Sequence, residues 1–247
     1  MIRLEEVRKN FNGNAVLDGV SISIKRGETF VVIGLSGSGK TVTLKHIAGL
    51  LDPDGGEIRI DGERMNDAPR DVRERLRKKM GVVFQSGALI NWLTVSENIA
   101  LPLVERCHPA GEIDDLVADK LRLLGMADAG GKMPGELSGG MKKRVCLARV
   151  LVRNPEIILY DEPTSGLDPV MSSVINDLIR RMQGDFGVTS VVVTHDMSSA
   201  YYIADRIALL YDGRIIQCAE PAMIRDSEDP VVRQFISGSL AGPIRVD

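Results

Sequence analysis

The segment Thr29–Thr41 reads TFVVIGLSGSGKT, a short apolar run followed by a loop rich in glycine and then by Lys and Thr. A run of this kind bounded by glycines predicts a buried strand. Glycines let backbone N–H groups converge on an anion, and the positive end of a following helix faces the same point. Lys40 adds a positive charge and Thr41 a hydroxyl suited to Mg²⁺. The segment therefore predicts a phosphate-binding loop between a strand and a helix.

Other short apolar runs lie along the chain, and turn residues and helical patterns follow them. The runs 81–84, 157–161 and 188–194 predict buried parallel strands, whose carboxyl ends are where open α/β sheets bind ligands. Segments 2–7 and 20–24 alternate apolar and polar residues, as half-buried strands do. Strands alternating with helices predict an α/β fold.

Composition limits the class of protein. The chain has 247 residues, 44% of them hydrophobic, which suffices for one large domain or two small ones. Its net charge of −3 provides no basic stripe, so we expect no nucleic-acid partner. Three separate cysteines without a CxxC pair predict neither disulfides nor a zinc site. No apolar run approaches the roughly 18 residues of a membrane span, so we expect a soluble chain.

Two acids and a histidine end the later runs. Adjacent residues on a strand point to opposite faces, so we expect Asp161 to face a Mg²⁺ shell and Glu162 to polarise a water beside a phosphate. A pair of acids that caps the next helix is the alternative, and it leaves the apolar strand before them unexplained. His195 follows VVVT, where an imidazole can hydrogen-bond a phosphate, although a lone histidine there is more often structural.

The segment Leu137 to Met141 reads LSGGM and lies between the phosphate loop and the acid pair. Ser138, Gly139 and Gly140 offer a hydroxyl and backbone N–H groups at a helix start, which is a second place for an anion. In this order with the other motifs, the segment resembles the signature of ATP-binding cassette ATPases. In that family the signature closes over the ATP held by a partner chain.

The resemblance covers essentially the whole chain and implies its fold, cofactors and partner. It implies a P-loop NTPase core with an antiparallel β subdomain and an inserted helical subdomain. We expect one domain over 1–247, with the helical subdomain at about 95–152 and a C-terminal tail at 237–247. ATP and Mg²⁺ are the implied cofactors, and a second copy of the chain is the implied partner in an ATP sandwich.

The family's site residues carry over position by position. The implied catalytic residues are Glu162, His195, Lys40 and Gln85, and the implied metal ligands are Thr41, Gln85 and Asp161. The implied nucleotide-binding residues are Phe11, Gly34, Leu35, Ser36, Gly37, Ser38, Gly39, Lys40, Thr41, Ser138, Gly139, Gly140 and Asp168. Gln85 matches the Q-loop, whose amide can touch Mg²⁺ and water while its loop reaches the membrane partner. Asp168 ends SGLD, which matches the loop that crosses the dimer seam. Phe11 would stack on adenine, or it is an ordinary core residue.

A narrower resemblance concerns three stretches. Phe84 to Leu103, Gly135 to Leu151 and Ile158 to Val170 are similar to the ATPase subunits of Mla-type lipid transport systems, with SGAL after Gln85 and Met141 after LSGG as the marks. This implies a phospholipid cargo, a separate membrane permease and an MCE-domain lipid-binding protein. It also implies a place at the cytoplasmic face of the inner membrane, held through the permease. Similar ATPases serve chloroplast and actinobacterial lipid import, so cargo and direction stay open.

Alternatives follow from features outside the shared pattern. An ABC ATPase for another substrate is one alternative; a soluble ATPase of translation or repair is another, but those usually carry two cassettes or a coiled-coil insertion. A nucleotide-gated adaptor would be expected to lack Glu162 or His195.

Three further features lie outside the family's pattern. Met141 replaces the usual glutamine of the signature and so removes an amide. The basic run 70–79 suits a solvated helix face better than a membrane surface. The tail is either frayed or docked on a neighbouring subunit.

Overall fold

The computed structural model describes residues 1–85 and 87–245. Within them the strands are β1 Ile2–Phe11, β2 Asn14–Ile24, β3 Thr29–Ile33, β4 Gly55–Ile60, β5 Glu63–Arg64, β6 Met80–Val83, β7 Ile157–Asp161, β8 Thr189–Thr194, β9 Arg206–Tyr211 and β10 Arg214–Ala219. The helices are α1 Lys40–Ile47, α2 Arg70–Lys78, α3 Val95–Val104, α4 Ala110–Leu123, α5 Gly139–Leu151, α6 Pro169–Phe186, α7 Met197–Ile203, α8 Pro221–Arg225 and α9 Pro230–Ser237. Ser86, which begins SGAL, and Val246 and Asp247 of the tail lie outside the described residues.

A six-stranded sheet forms the centre of the molecule. Its order is β10-β9-β3-β8-β7-β6, and every neighbouring pair is parallel except β10 with β9. Every residue of β3, β7 and β8 is buried, as expected for parallel strands covered on both faces. The continuous apolar runs in the sequence are the cause of this burial, and the three predicted runs become β6, β7 and β8.

A second sheet is antiparallel, in the order β2-β1-β4-β5. Here β1 extends to Phe11, beyond the predicted end at residue 7, because a bulge between Leu4 and Val7 carries the strand past the break in its alternation. Strands β4, β5, β9 and β10 had no counterpart in the sequence-based prediction. The helix after the phosphate loop ends at Ile47 instead of Leu50, since Gly49 takes a left-handed φ of +64°.

Residues 95–151 contain α3, α4 and α5, which pack on one another and on one face of the central sheet. Thr94 caps α3 through a reciprocal pair of hydrogen bonds with Glu97. The buried amide of Asn98 binds the carbonyls of Ile90, Leu93 and Thr94, which fixes the chain before the helix. The boundaries of a separate helical subdomain at 95–152 stay a prediction.

The basic run forms α2 and the residue that follows it. Four of its six cations form ion pairs within the chain, among them Arg75 with Glu63, Arg73 with Asp52, and Lys79 with Asp61 at 2.7 Å. These partners favour the solvated helix face over a membrane contact. None of the helices in the described parts of the chain is both long and apolar enough to cross a bilayer.

The described tail folds back on α9. The side chain of Gln234 is buried, accepts a hydrogen bond from the Ile244 N–H at 2.6 Å and donates one to the Ile244 carbonyl at 3.1 Å. Ile244 is buried as well, whereas Leu240 is fully exposed. The prediction of a frayed terminus is therefore wrong for the tail as far as Ile244, because a buried amide binds its backbone.

Candidate functional site

Four strands of the central sheet place the sequence motifs at one edge. Ile33 at the end of β3 pairs with Thr194 at the end of β8, and Asp161 at the end of β7 pairs with Val193. These strands are parallel, so the segments that follow them leave the sheet on the same side. These segments are the phosphate loop, the acid pair and His195. Gln85 follows β6 at that edge too.

The phosphate loop connects β3 to α1 in a backbone path that needs glycine. Gly39 has a φ of +98°, and a Cβ there would lie 2.8 Å from Cδ2 of Leu17. A Cβ on Gly34 would meet the carbonyl oxygen of Leu210. The loop therefore sits tightly against β2 and β9, and α1 begins directly at Lys40 with its N-terminus at the loop.

Lys40 and Thr41 point into this edge of the sheet. The Lys40 ammonium donates to the carbonyls of Gly34 and Leu35, each at 2.8 Å. Burial lowers the pKa of Lys40, and the carboxylates of Glu162 and Asp161 oppose that shift. The Thr41 hydroxyl donates to Oδ1 of Asp161 at 2.9 Å. A hydroxyl and a carboxylate thus lie side by side, which is the hard oxygen chemistry that Mg²⁺ prefers.

Glu162 follows β7 and leaves the strand conformation. Its φ is +49°, in the left-handed region that costs a non-glycine residue about 1 kcal/mol. Its N–H donates to the Val193 carbonyl at 2.9 Å, and its carboxylate accepts from the Thr194 hydroxyl at 3.2 Å. Nδ1 of His195 lies 3.0 Å from the same carboxylate. Asp161 and Glu162 thus bind different partners. Glu162 lies outside β7 in a left-handed conformation, so the strand alternation on which we based the prediction does not extend to it.

The phosphate loop borders a cleft of about 880 Å³. Its wall includes Phe11, Gln85, Glu162 and His195 beside the phosphate loop. Phe11 is 41% exposed, so it is not a core residue. Gln85 turns its amide toward the loop after β7, where Nε2 donates to the Ser165 hydroxyl at 3.2 Å.

The LSGG segment and Asp168 lie elsewhere on the chain. Ser138 caps α5 by accepting from the Met141 N–H, and Asp168 caps α6 in the same way. A Cβ on Gly139 would lie 3.3 Å from Leu167, so the two caps are neighbours. Among the described residues that line the cleft, neither Ser138 nor Asp168 is included. The structure thus separates these two predicted residues from the phosphate loop of their own chain.

Two groups of residues at the site were missed in the sequence. Lys143 on α5 is buried and reaches the carbonyls of Gln85 and Glu162. The chain's C-terminal end also lines the cleft, through Phe235 of α9 and through tail residues that include Ser239 and Leu240. Helical spacing could have placed Lys143 on the face of α5 that contacts Gln85 and Glu162. No local sequence pattern predicts that the C-terminal tail returns to the phosphate loop.

The side chains present fit a nucleotide with a bound cation. The Ser38 hydroxyl in the phosphate loop is buried and has no hydrogen-bond partner in the described parts of the chain, which leaves it available to a phosphate oxygen. Within 1–85 and 87–245 no three His, Cys, Asp or Glu residues cluster as a metal site. Thr41 and Asp161 would thus complete their cation's coordination with phosphate oxygens, as Mg²⁺ sites do.

The chain is similar in sequence to known proteins over most of its length. A family model described as ABC transporter matches residues 17–165. The chain is 42% identical to Protein TRIGALACTOSYLDIACYLGLYCEROL 3, chloroplastic, of Arabidopsis thaliana, over 99% of this chain and 76% of that protein. It is 37% identical to the Intermembrane phospholipid transport system ATP-binding protein MlaF of Escherichia coli K12, over 99% and 91%. It is 38% identical to the Probable ribonucleotide transport ATP-binding protein mkl of Mycobacterium leprae, over 98% and 70%.

A solved structure agrees with the fold. The dimeric post-hydrolysis state of the ATP-binding cassette MJ0796 bound to ADP and Pi superposes with a TM-score of 0.82 at 35% identity, covering 90% of this chain and 99% of that one. These matches confirm the family resemblance, the α/β cassette fold and the assignment as an ATP-binding ATPase. The chain belongs to the ABC transporter family and is one of its ATP-hydrolysing subunits.

Proposed function

We propose that two copies of this chain close over two ATP molecules and that their hydrolysis drives a separate membrane permease. The observation that carries this proposal is the Glu162 carboxylate, which Thr194 and His195 hold at the edge of the cleft beside the phosphate loop. The cleft lacks a contact from Ser138 of its own chain among the residues described, which supports a second chain as its cover. The structurally similar ATP-binding cassette MJ0796 is dimeric in its post-hydrolysis state.

In this proposal the residues divide into three tasks. The loop Gly34–Thr41 binds the β and γ phosphates through its N–H groups and Lys40, and Phe11 stacks on the adenine. Thr41, Asp161 and Gln85 would hold Mg²⁺, which neutralises charge on the phosphates. Glu162 orients and deprotonates the attacking water, and His195 hydrogen-bonds the γ phosphate.

The second chain provides the remaining contacts. Ser138, Gly139 and Gly140 at the start of α5 would meet the partner's γ phosphate with a hydroxyl, N–H groups and the positive end of the helix. Asp168 lies beside them, at the start of α6, and belongs to the same dimer seam. Catalysis is then mostly positioning and charge stabilisation across the two chains.

The proposed cargo is a phospholipid. Its support is the 37% identity to MlaF, named for intermembrane phospholipid transport, over nearly the whole of both chains. The proposed partners are integral permease subunits and an MCE-domain lipid-binding protein, with the chain at the cytoplasmic face of the inner membrane. The mycobacterial relatives named for ribonucleotide transport, at 38% identity, favour another substrate as the second candidate.

Purification from membranes tests the cargo and the partners together. The tagged chain is isolated in mild detergent, and the bound polypeptides and lipids are identified by mass spectrometry. We expect a permease, an MCE-domain protein and phospholipid above the level of a mock purification. If the chain is recovered with a permease, and vesicles that contain this complex take up nucleotide but not phospholipid, the lipid assignment is contradicted. If the chain is recovered without any membrane polypeptide, its role in transport is contradicted.

A further inference from the structure

One face of α5 donates hydrogen bonds to the backbone of the loop that follows β6. The Lys143 ammonium binds the Gln85 carbonyl. The Cys146 thiol and the Arg149 guanidinium bind the Gly87 carbonyl at 2.8 and 3.0 Å. These three donors are three residues apart on the helix, so they lie on one face.

Lys143 differs from the other two donors because it reaches a second segment. Its ammonium lies 3.5 Å from the Glu162 carbonyl as well as beside the Gln85 carbonyl. Only 9% of the residue is exposed, and a buried ammonium is tolerated only where hydrogen bonds replace its water. One side chain of the LSGG helix is therefore bound to both the Q-loop and the residue that we assign as the general base.

The backbone that these donors hold is conformationally demanding. Gly87 has a φ of +75°, Ala88 a φ of +44° and Glu162 a φ of +49°. Non-glycine residues keep such angles only where their surroundings impose them. Arg149 also donates to the Ala88 carbonyl at 2.8 Å. Burial raises the pKa of Cys146 to about 11, so its thiol stays protonated and acts as the donor.

We infer that Lys143 is a positioning residue for ATP hydrolysis: it ties the helix behind LSGG to Gln85 and to Glu162, so that the helix N-terminus and the catalytic edge of the same chain move together. This inference rests on the proposed function, in which that N-terminus covers the partner's ATP. When the helix shifts on closure, the Lys143 ammonium transmits the shift to the carbonyls of Gln85 and Glu162. The Q-loop and the base are then aligned only when α5 is seated.

The tether is tested first without nucleotide, by hydrogen–deuterium exchange of the backbone amides in the peptide 84–93. Lys143→Met keeps the length of the side chain and removes the ammonium, so we expect exchange there to accelerate by about tenfold, as the loss of charged hydrogen bonds implies. Lys143→Arg should restore most of the protection. Lys132→Met, an exposed lysine before the LSGG segment, is the control and should change nothing.

Unchanged exchange in folded Lys143→Met would overturn the tether. If that variant is not recovered folded, Lys143→Gln replaces it: its amide can donate to only one of the two carbonyls, so we expect a smaller acceleration over 84–93, and no acceleration would overturn the tether. A uniform acceleration over 84–93 and the distant strand β1, without rescue by Lys143→Arg, would also overturn the inference, because it would indicate general loss of stability.

The catalytic part of the inference is tested by the separation of binding from turnover. We expect Lys143→Met to lower kcat by about tenfold or more while the Kd of the monomer for MgATP stays within about twofold, since the phosphate loop is untouched. Equal kcat for Lys143→Met and the wild type would overturn the positioning role. Failure of the proposed function is distinguishable: Glu162→Gln would then leave hydrolysis unchanged, while the exchange result in nucleotide-free protein would still stand.

Discussion

Glu162 is the residue where backbone strain and catalytic chemistry coincide. Its left-handed φ turns the carboxylate away from the Asp161 side chain and toward Thr194 and His195. Strain of this kind persists only where neighbours hold it, and it is often found at functional sites. The division of labour between a metal-facing acid and a water-facing acid therefore depends on one turn of the chain.

Glu162→Gln should preserve ATP binding and slow turnover by about tenfold or more, because the amide cannot take the proton of the water while the ligands for Mg²⁺ remain. The ATP-bound dimer should accumulate. Phosphate release at steady state and size-exclusion chromatography with MgATP measure the two effects. A wild-type rate of phosphate release would contradict the assignment of Glu162 as the base.

Lys40→Ala should act on binding, since the ammonium that now contacts Gly34 and Leu35 would be missing opposite the β and γ phosphates. We expect the Kd for ATP to rise by about tenfold or more. Lys45→Ala, on the exposed side of α1, is the matched control. The Kd is measured by fluorescence titration with a labelled ATP analogue. Equal affinity of the two variants would refute the role of Lys40.

The residues predicted best from sequence were those whose chemistry is local. The phosphate loop needs glycines, a lysine and a hydroxyl in one short stretch, and all of these can be read in order. The role of Lys143 depends on carbonyls that lie 58 and 19 positions away in the chain, and the turn at Glu162 depends on β8. Such contacts are set by packing of distant segments, for which a single sequence carries no periodic signal.

At the scale of elements, the start of α5 is not among the described residues that line the cleft of its own phosphate loop. Ser138→Arg places a bulky cation at this start, so it should stop hydrolysis while the Kd of the monomer for ATP changes little. Ser138→Ala, which loses the hydroxyl but adds no bulk, is the comparison variant: it should cost about 1 kcal/mol of stability and slow hydrolysis less than the arginine variant does. Mixed with Lys40→Ala chains, the arginine variant should form at most one competent site. Severe loss of ATP binding by the Ser138→Arg monomer would mean that Ser138 serves its own chain.

Met141 in the first turn of α5 replaces the usual glutamine of the signature. Its N–H is bound to the Ser138 hydroxyl, and its side chain packs partly on the main core. If the backbone N–H groups bind the anion, Met141→Gln should change the ATPase rate by less than about tenfold, or 1.4 kcal/mol of barrier. A larger change in the steady-state rate, in either direction, would show that Met141 is tuned to this transporter.

Several elements were predicted from their apolar runs, but β9 was missed although its residues 207–210 form a buried apolar run as well. Fully buried β3, β7 and β8 each contain a run of at least three consecutive apolar residues. In contrast, β4 begins with two glycines and both β4 and β10 carry an exposed arginine, so their place in a sheet follows from β1 and β9 and not from their own pattern. The exposed strands of the antiparallel part were missed for that reason.

At the scale of the molecule, the C-terminal tail folds back and lines the nucleotide cleft. Deleting Gly238 to Asp247 leaves the buried Gln234 amide without its partners at Ser239 and Ile244. Each of these hydrogen bonds contributes about 0.5–1.5 kcal/mol net, and for a domain of this size we expect the melting temperature to fall by about 2–4 °C for each kcal/mol lost. Leu240→Ala, at a fully exposed position, is the control and should leave the melting temperature unchanged.

The same deletion separates a tail that serves its own chain from one that docks on a neighbour. The bonds between Gln234 and Ile244 are already made within one chain, so they stabilise the monomer whether or not a partner is present. We therefore expect the truncated chain to melt earlier but to form the ATP-bound dimer to the same extent, in size-exclusion chromatography of the Glu162→Gln background with MgATP. The dimer could instead be lost at a temperature where the truncated monomer is still folded. That result would show that the tail, with exposed Leu240 at the rim of the cleft, contacts the partner chain.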